Sequence, residues 1–352
     1  MKRLLLLALL LTGCTGSAIV GDEPTPAADD DDAVGDDDDA VDGPDFSVPG
    51  PTGSGNTTLA ETNRGGKNLF IDVWYPSDAS GDTAVYGEGE FANQGVSVVD
   101  GEGACDEPRP VMVHSHGHLS IRWELYWLHE HMASHGWVIA APDHAGNTFY
   151  DDSANFIDLY SQRPYDVADT FDALLAESSR PESPLHGCVD PAAGYVVGGY
   201  SFGGYTAYAT AGGLVNDTAG EPTYDLSDSR VTSVVAYFPW TGDALDDGTA
   251  EIEVPVLTWG ATRDSTVGTD YDILHGPIES TPRALGVFPD GGHHTFTQLY
   301  CPFIEENGCG DEFVSEDVAY PAARTGVLGF LTGNLDLLVD VEDALEWEIV
   351  AE

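Results

Sequence analysis

A serine stands between two glycines in the segment Gly199-Tyr200-Ser201-Phe202-Gly203. The segment directly follows the apolar run Tyr195-Val196-Val197, which is typical of a buried strand. A strand that turns sharply into a helix at such a serine forms a nucleophile elbow, and the glycines remove side chains that would clash in the turn. The sequence therefore predicts Ser201 as a nucleophile whose hydroxyl is presented outward.

A serine hydroxyl reacts well only when a histidine accepts its proton and an acid orients that histidine. Asp264 and His293 each follow a predicted strand downstream of the serine, at the edge of the sheet where the serine should also lie. Asp243 is an alternative acid, and His294 is an alternative base. We favour Asp264 because its strand, glycine and acid are better formed, and His293 because it directly follows a glycine pair.

Two backbone N–H groups must also stabilise the negative charge that develops on the substrate oxygen. One is expected from Phe202, the residue after the nucleophile. The other is expected from the loop His116-Gly117-His118, which follows an apolar strand. The sequence therefore predicts an oxyanion hole formed by the N–H groups of Phe202 and His118.

Short apolar runs alternate with helical patterns along the chain, which predicts an α/β fold with a mostly parallel central sheet flanked by helices. The predicted strands cover residues 69–74, 111–114, 138–141, 195–197, 231–237, 254–259 and 285–288. The predicted helices lie near residues 122–134, 165–178, 202–213 and 317–332. About 300 residues remain after the N-terminal segments, and one large α/β domain can accommodate them.

The N-terminal segment indicates export and lipid attachment. Lys2 and Arg3 precede a short apolar run and the tetrapeptide Leu11-Thr12-Gly13-Cys14, which resembles the lipobox of bacterial lipoproteins. An acidic stretch with two Asp tetrads follows and has little apolar surface to bury. We therefore expect lipidation at Cys14 and anchoring to the outer membrane, cell surface or periplasmic face. The predicted domains are a signal peptide (1–13), an acidic tether (14–56), a catalytic domain (57–340) and an acidic tail (341–352).

The charge and the cysteines constrain the partners and the compartment. The formal net charge is −49, which argues against nucleic acid as a partner because the phosphate backbone would be repelled. Beyond Cys14 the chain has four cysteines, which suits an oxidising compartment. Cys105 and Cys188 each precede a predicted strand and could pair if those strands are parallel neighbours. Cys301 and Cys309 would close a small loop.

Several segments resemble the bacterial relatives of platelet-activating-factor acetylhydrolase, a group that includes predicted dienelactone hydrolases and is related to cutinase-like polyester hydrolases. The resemblance covers roughly residues 60–332 and is carried by 72–76, 113–117, 133–144 and the elbow at 199–204. It implies the α/β-hydrolase fold, a Ser-Asp-His order and a serine esterase that acts on short acyl esters without a cofactor. The substrate is then a small-molecule or lipid ester. True dienelactone hydrolases have cysteine where this chain has Ser201, so the acyl and alcohol preferences cannot be transferred.

Two other classes of function compete with the esterase interpretation. His114, His116 and His118 alternate in sequence and could join His293 and His294 in a hydrolytic metal site, but no acidic ligand stands at a familiar spacing. We therefore predict no metal. A non-catalytic surface binding protein on a hydrolase fold is the second alternative. His129-Glu130-His131 does not form a zinc motif and is expected at the surface.

Aromatic residues are frequent in or near the loops expected to border the cleft, namely Trp123, Tyr126, Trp127, Phe149, Tyr150 and Trp240. Packing in the core is one interpretation of these side chains, and binding of an apolar acyl or alcohol group is the other. The acidic charge is expected to favour neutral or cationic esters over anionic ones.

Overall fold

An eleven-stranded sheet forms the centre of the structure. The structure is a computed structural model, and it describes residues 43–89, 92–216, 222–241, 244–304, 306–339 and 345–351. The predicted signal peptide, Cys14, most of the predicted tether and Asp243 lie outside the described residues. Within those ranges, none of the helices combines the length and the apolar character that crossing a membrane requires.

The described strands are, in chain order, β1 (Ser54–Thr62), β2 (Asn68–Pro76), β3 (Thr83–Tyr86), β4 (Asn93–Val99), β5 (Val111–Ser115), β6 (Val138–Pro142), β7 (Tyr195–Tyr200), β8 (Val215–Asn216), β9 (Pro222–Tyr224), β10 (Val231–Tyr237), β11 (Val256–Ala261), β12 (Arg283–Phe288) and β13 (Glu346–Val350). The described helices are α1 (Tyr126–Ser134), α2 (Phe156–Ser178), α3 (Phe202–Thr210), α4 (Asp270–His275), α5 (Glu316–Leu331) and α6 (Asp336–Val339). Two short 3-10 turns cover Asp246–Glu251 and Gln298–Tyr300.

The sheet has the order β13-β12-β11-β10-β7-β5-β6-β2-β1-β4-β3, and β8 and β9 form a separate pair. Its six central strands, from β12 to β6, are all parallel, whereas β13 and β2 join them in antiparallel register. The fold is therefore mixed α/β with a large, mostly parallel sheet, as the alternation of strands and helices indicated. Parallel order matters for function because the carboxyl ends of these strands meet at one edge.

Helices cover both faces of the central strands, so the strands are buried on both sides. On one face, Phe171 of α2, Phe202 of α3 and Leu274 of α4 pack in a common apolar cluster. On the other face, Leu128 of α1 and Val327 of α5 pack in a second cluster. The apolar runs without alternation in β5, β7 and β11 match this double burial.

The structure differs from the predicted domain boundaries at both ends of the body. The compact unit begins at Asp45, and Phe46 is buried against α1, where its carbonyl accepts a hydrogen bond from His131 Nε2 at 2.8 Å. The segment predicted as tether up to residue 56 thus packs from about residue 45 onward, because Phe46 has an apolar ring to bury. At the other end, Glu346–Val350, which lies within the segment predicted as an acidic tail, forms strand β13 and pairs with β12.

Both cysteine pairs suggested by the sequence are disulfides in the structure. Cys105–Cys188 joins the loops that precede the adjacent parallel strands β5 and β7, and Cys301–Cys309 closes an eight-residue separation after the histidine loop. The first bridge links residues 83 apart in sequence, so it constrains the unfolded chain much more than the second.

We expect the double substitution Cys105→Ala and Cys188→Ala to lower the free energy of unfolding by about 4–5 kcal/mol, because the lost cross-link frees a long loop in the unfolded state. The pair Cys301→Ala and Cys309→Ala is the matched control and should cost about 2–3 kcal/mol. Urea denaturation of both variants measures the difference. Equal losses would show that loop length does not set the contribution of these bridges.

Candidate active site

Three side chains meet at the carboxyl edge of the sheet in a hydrogen-bonded line. Ser201 follows β7, Asp264 follows β11 and His293 follows β12. His293 Nε2 lies 3.0 Å from Ser201 Oγ, and His293 Nδ1 lies 2.7 Å from Asp264 Oδ2. The structure therefore brings together the serine, the histidine and the acid that the sequence favoured.

The turn at Ser201 holds the serine in a strained conformation. Its φ of +54° and ψ of −116° place it in a region that L-residues rarely adopt, directly before α3. The flanking glycines are sterically required, because a Cβ on Gly203 would overlap the Ser115 carbonyl and one on Gly204 would lie 2.6 Å from Pro239 Cβ. The hydroxyl therefore projects from a tight turn at the positive end of the α3 dipole.

Asp264 is held by the backbone of its own loop. Its side chain is fully buried, and its Oδ1 accepts hydrogen bonds from the N–H groups of Thr266 and Val267 at 2.8 and 3.0 Å. Its Oδ2 remains available for His293 Nδ1, so the carboxylate fixes the orientation of the imidazole. The alternative acid, Asp243, lies outside the described residues.

His294 hydrogen-bonds within its own loop. Its Nδ1 lies 3.2 Å from Thr297 Oγ1, and burial lowers its pKa to about 4. The geometry thus separates the two adjacent histidines: His293 faces Ser201, whereas His294 packs against its own loop.

The loop after β5 packs beside the nucleophile elbow. A Cβ placed on Gly117 would lie 3.5 Å from Ser201 Cβ and 3.6 Å from the Tyr200 carbonyl oxygen, so little space remains between the loop and the elbow. The His118 imidazole accepts a hydrogen bond from Asn147 Nδ2 at 2.9 Å. This contact involves the ring of His118 and not its backbone N–H. Among the described residues, neither the N–H of His118 nor that of Phe202 has a protein acceptor. Neither predicted donor is therefore occupied by another group of the described protein.

A buried arginine donates hydrogen bonds to this loop. Arg163 of α2 is fully buried and donates to the His116 carbonyl, to Ser115 Oγ at 3.1 Å and to Asn147 Oδ1 at 2.5 Å. Asn147 in turn donates to His118, so one guanidinium orders both ends of the loop. Burial lowers the pKa of Arg163 to about 9.

A buried carboxylate holds the same loop from the opposite side. Glu124 is 1% exposed, and its two oxygens accept the Gly117 N–H at 3.1 and 3.2 Å. It also accepts hydrogen bonds from His114 Nε2 at 3.1 Å and from Ser120 Oγ. The peptide between His116 and Gly117 is thus bound at its carbonyl by Arg163 and at its N–H by Glu124. The next peptide, which carries the His118 N–H, is held separately at its Gly117 carbonyl, which accepts the Ser120 N–H at 3.3 Å.

A single asparagine connects the acid loop to the histidine loop. Asn307 Oδ1 accepts the N–H groups of Ser265 at 2.8 Å and of His293 at 3.0 Å, and its Nδ2 donates to Thr266 Oγ1 at 2.6 Å. The Asn307 carbonyl accepts the His294 N–H at 2.8 Å. Asn307 lies between the cysteines of the second disulfide with a φ of +60°, which asparagine tolerates better than most residues. Asn307 is not among the site residues that the sequence predicts.

We expect Asn307→Ala to lower kcat by roughly 10- to 100-fold, because His293 and Asp264 would lose their common support and small misplacements are costly in catalysis. Asn307→Asp is the matched control, since it keeps an oxygen that can accept the N–H groups of Ser265 and His293. Ester hydrolysis across pH measures both variants. A wild-type kcat in the alanine variant, with only the melting temperature lowered, would contradict a positioning role.

The histidines considered as metal ligands do not converge. His114 hydrogen-bonds to Glu124, His116 Nδ1 hydrogen-bonds to the Gly117 carbonyl, and His118 bonds to Asn147. Burial lowers the pKa of His116 well below its usual range, so its ring is neutral. No group of three or more His, Cys, Asp or Glu side chains with a metal-binding arrangement occurs in the described parts of the chain.

The segment His129-Glu130-His131, expected at the surface, is buried. Burial lowers the pKa of His129 well below its usual range and that of His131 to about 4. Glu130 accepts hydrogen bonds from Tyr86 OH at 3.0 Å and from the N–H groups of Val96 and Ser97 at 2.9 Å. The difference arises because β3 and β4 cover this face of α1, and neither strand was predicted.

Comparison with solved structures shows what the fold resembles. A ferulic acid esterase from Streptomyces cinnamoneus, solved at 2.4 Å, superposes with a TM-score of 0.58 and 20% sequence identity. The match covers 82% of this chain and 92% of that enzyme. No protein-family model matches the sequence, and no curated protein matches it. The chain therefore shares its mixed α/β fold with that esterase.

Proposed function

We propose that the protein is a serine carboxylic-ester hydrolase of the α/β-hydrolase superfamily. The observation that carries this proposal is the line Ser201–His293–Asp264, with hydrogen-bond distances of 3.0 and 2.7 Å. The fold shared with a ferulic acid esterase supports the same class of reaction. We retain the finer assignment to the acetylhydrolase-like and dienelactone-hydrolase-like group, with short-chain acyl esters as substrates, as part of the proposal.

The proposed mechanism uses each group for one task. Ser201 Oγ attacks the ester carbonyl while His293 Nε2 takes its proton, and Asp264 stabilises the resulting imidazolium. The oxyanion accepts hydrogen bonds from the N–H groups of Phe202 and His118. His293 then protonates the departing alcohol, which leaves an acyl group on Ser201. A water molecule, deprotonated by His293, attacks that acyl-enzyme, and the protonated His293 then returns the proton to Ser201 Oγ as the carboxylic acid leaves.

The proposed location follows from the N-terminal sequence alone. Lipidation at Cys14 would anchor the protein to a membrane, with the acidic segment as a spacer and the body in an oxidising compartment. The two disulfides of the body are compatible with such a compartment.

Labelling with a fluorophosphonate tests the enzyme class, because this reagent forms a stable adduct only with an activated serine. We expect one adduct per chain, located at Ser201 by mass spectrometry, and hydrolysis of p-nitrophenyl esters that declines as the acyl chain lengthens. Labelling that is absent at Ser201, together with no ester hydrolysis, would favour the alternative of a non-catalytic binding protein. Activity that resists the phosphonate but is lost with a chelator would favour a metal-dependent hydrolase.

A further inference from the structure

A cavity of about 550 Å³ lies outside the proposed catalytic centre. Its walls come from the segments around residues 87–88, 92–93, 121–127, 149–150, 296–303 and 316–320. Ser201, His293 and the two residues of the predicted oxyanion hole do not line it. A volume of this size is typical of small-molecule sites, so the cavity can hold a ligand of its own.

Half of the residues that line the cavity are aromatic. They include five of the six aromatic residues that the sequence places near the cleft, namely Trp123, Tyr126, Trp127, Phe149 and Tyr150. The sixth, Trp240, packs against Phe202 instead, with 5.3 Å between the ring centroids. The cavity therefore offers many aromatic faces and edges to a ligand.

Stacking holds two of these rings in place. Tyr126 stacks on Tyr86 with 4.5 Å between the ring centroids, and Tyr320 stacks on Trp127 at 3.7 Å. Rings that are already ordered lose little conformational entropy when a ligand binds. The walls are thus prepared for a group that aromatic rings attract.

The charged side chains among the described lining residues are all carboxylates, namely Glu88, Glu124 and Glu316. Glu124 is buried and already accepts hydrogen bonds from the Gly117 N–H and Ser120 Oγ. Glu88 and Glu316 are exposed. A ligand in the cavity therefore meets two solvent-accessible negative charges and no lysine, arginine or histidine of the described lining.

Glu316 lies beside two of the aromatic rings. Its Oε1 accepts a hydrogen bond from the Tyr320 hydroxyl at 3.5 Å. Burial and the charge of Glu316 raise the pKa of Tyr320, and burial with the charges of Glu130 and Glu316 raises that of Tyr126. The cavity thus combines aromatic rings with an adjacent carboxylate.

Two arginines lie close to the walls without lining the cavity. Arg324 lies over the Trp127 ring, 5.5 Å from its centroid. Arg122 forms ion pairs with Asp72 and Asp143. Neither guanidinium reaches the lining, so the carboxylates determine the charge that a ligand meets there.

We propose that this cavity binds an organic cation, namely a small molecule that carries an alkylated ammonium group. Aromatic faces attract such a group through their quadrupoles, and the carboxylates supply the opposite charge. The alkyl groups of the ligand gain apolar contact with the rings, which a hydrated metal ion would not. The net charge of −49 also concentrates cations at the surface. This inference does not depend on the esterase proposal.

Three ligands of equal shape test the charge preference by isothermal titration calorimetry. They are [4-(hydroxymethyl)phenyl]trimethylammonium, its neutral isostere 4-tert-butylbenzyl alcohol and the anion 4-(hydroxymethyl)benzenesulfonate. In about 150 mM NaCl, which screens the distant charges, we expect the cation to bind with a Kd about 10-fold or more below that of the neutral alcohol. The sulfonate should bind more weakly than both. Equal Kd values for the cation and the alcohol would overturn the inference.

A pair of adjacent acidic residues distinguishes a local site from general attraction to an acidic protein. Glu316 and Asp317 are both exposed in the first turn of α5, but only Glu316 lines the cavity. Glu316→Gln should raise the Kd of the ammonium ligand by about 5-fold, and Asp317→Asn should change it by less than about 2-fold. Each substitution removes one negative charge, so equal effects would show non-specific attraction and overturn the site.

Replacing two exposed rings with leucine tests the aromatic contribution. Phe149 and Tyr150 are 59% and 70% exposed, so Phe149→Leu with Tyr150→Leu should leave the fold intact. Leucine keeps apolar volume but has no quadrupole, so the Kd of the cation should rise about 5-fold while that of the neutral alcohol stays within about 2-fold. Tyr224→Leu is the matched control, because Tyr224 is 57% exposed and does not line the cavity. Parallel losses for both ligands, or none, would overturn the role of these rings in cation binding.

The Ser201→Ala variant separates this site from the proposed catalytic centre. Because Ser201 does not line the cavity, the variant should bind the ammonium ligand with the Kd of the wild-type protein. Unchanged binding supports a site that is independent of the serine, whatever the outcome of the ester assays. Loss of binding in this variant would place the cation at Ser201 and overturn the proposed location.

Discussion

Ser201→Ala is expected to lower kcat for ester hydrolysis by roughly 10⁶-fold, the scale observed when a serine hydrolase loses its nucleophile. No other hydroxyl is hydrogen-bonded to His293 Nε2 among the described residues, so no neighbouring group can replace Ser201 Oγ in the attack. The substitution removes only one oxygen from a side chain that makes no cap bond to α3. Stability should therefore be nearly unchanged, and p-nitrophenyl acetate hydrolysis by the purified variant measures the loss.

His293→Ala and His294→Ala form a matched pair for the same site. His293→Ala should lower kcat about as much as Ser201→Ala does, because the loss of either member removes most of the contribution of groups that act as a unit. His294 hydrogen-bonds to Thr297 and should change kcat far less. Residual activity within 10-fold of wild type in the Ser201 variant, with no contaminating esterase, would remove the serine from the mechanism.

Ser201, Asp264 and His293 could be predicted because each lies in a recognisable local sequence pattern. Ser201 lies in a glycine-rich turn, and Asp264 and His293 each follow a strand whose apolar run is legible in the sequence. Parallel order then places all three at one edge of the sheet. The choice between His293 and His294 was also local, since it depends on direction along a short loop.

The supporting residues could not be predicted because their contacts are distant in sequence. Arg163 reaches the His116 carbonyl across 47 residues, and Asn307 reaches Ser265 across 42. The predicted helix begins at residue 165 and so leaves out Arg163 and Pro164. In the structure, α2 begins at Phe156, after its Asn155 cap. Proline inside a helix lacks a backbone donor and is disfavoured, so the local sequence does not predict a helix that continues through Pro164. Tertiary packing keeps Pro164 inside the longer one.

The edge strands were missed for a related reason. Strands β1, β3, β4 and β13 lie at the antiparallel or outer parts of the sheet, where one face is exposed and polar residues alternate with apolar ones. In β13 the pattern Glu346-Trp347-Glu348-Ile349 resembles an acidic tail unless the position of β12 is known. Long-range pairing, rather than local composition, makes these segments strands.

Arg163→Met is expected to destabilise the protein by about 3–5 kcal/mol, the usual cost of removing one partner from a buried charged network. The guanidinium donates to the His116 carbonyl, Ser115 Oγ and Asn147 Oδ1, and all three would lose a buried donor. Glu124 would remain as a buried carboxylate whose attraction to Arg163 had disappeared. Methionine fills similar space but supplies no donor, so packing cannot compensate. Urea denaturation measures the loss.

Arg180→Met is the matched control, because the Arg180 side chain is 54% exposed and its ion pairs within the described ranges are with Glu177 and Glu182. Its substitution should change the free energy of unfolding by less than about 1 kcal/mol. Arg163→Lys separates stability from catalysis, since it keeps the charge and loses the fork that reaches two acceptors at once. Under conditions where the lysine variant is fully folded, kcat should still fall by roughly 10-fold or more, because the peptide that carries the His118 N–H is no longer fixed. A lysine variant with normal kcat would show that Arg163 supports only the fold, and the oxyanion donor would then have to be positioned by Glu124 alone.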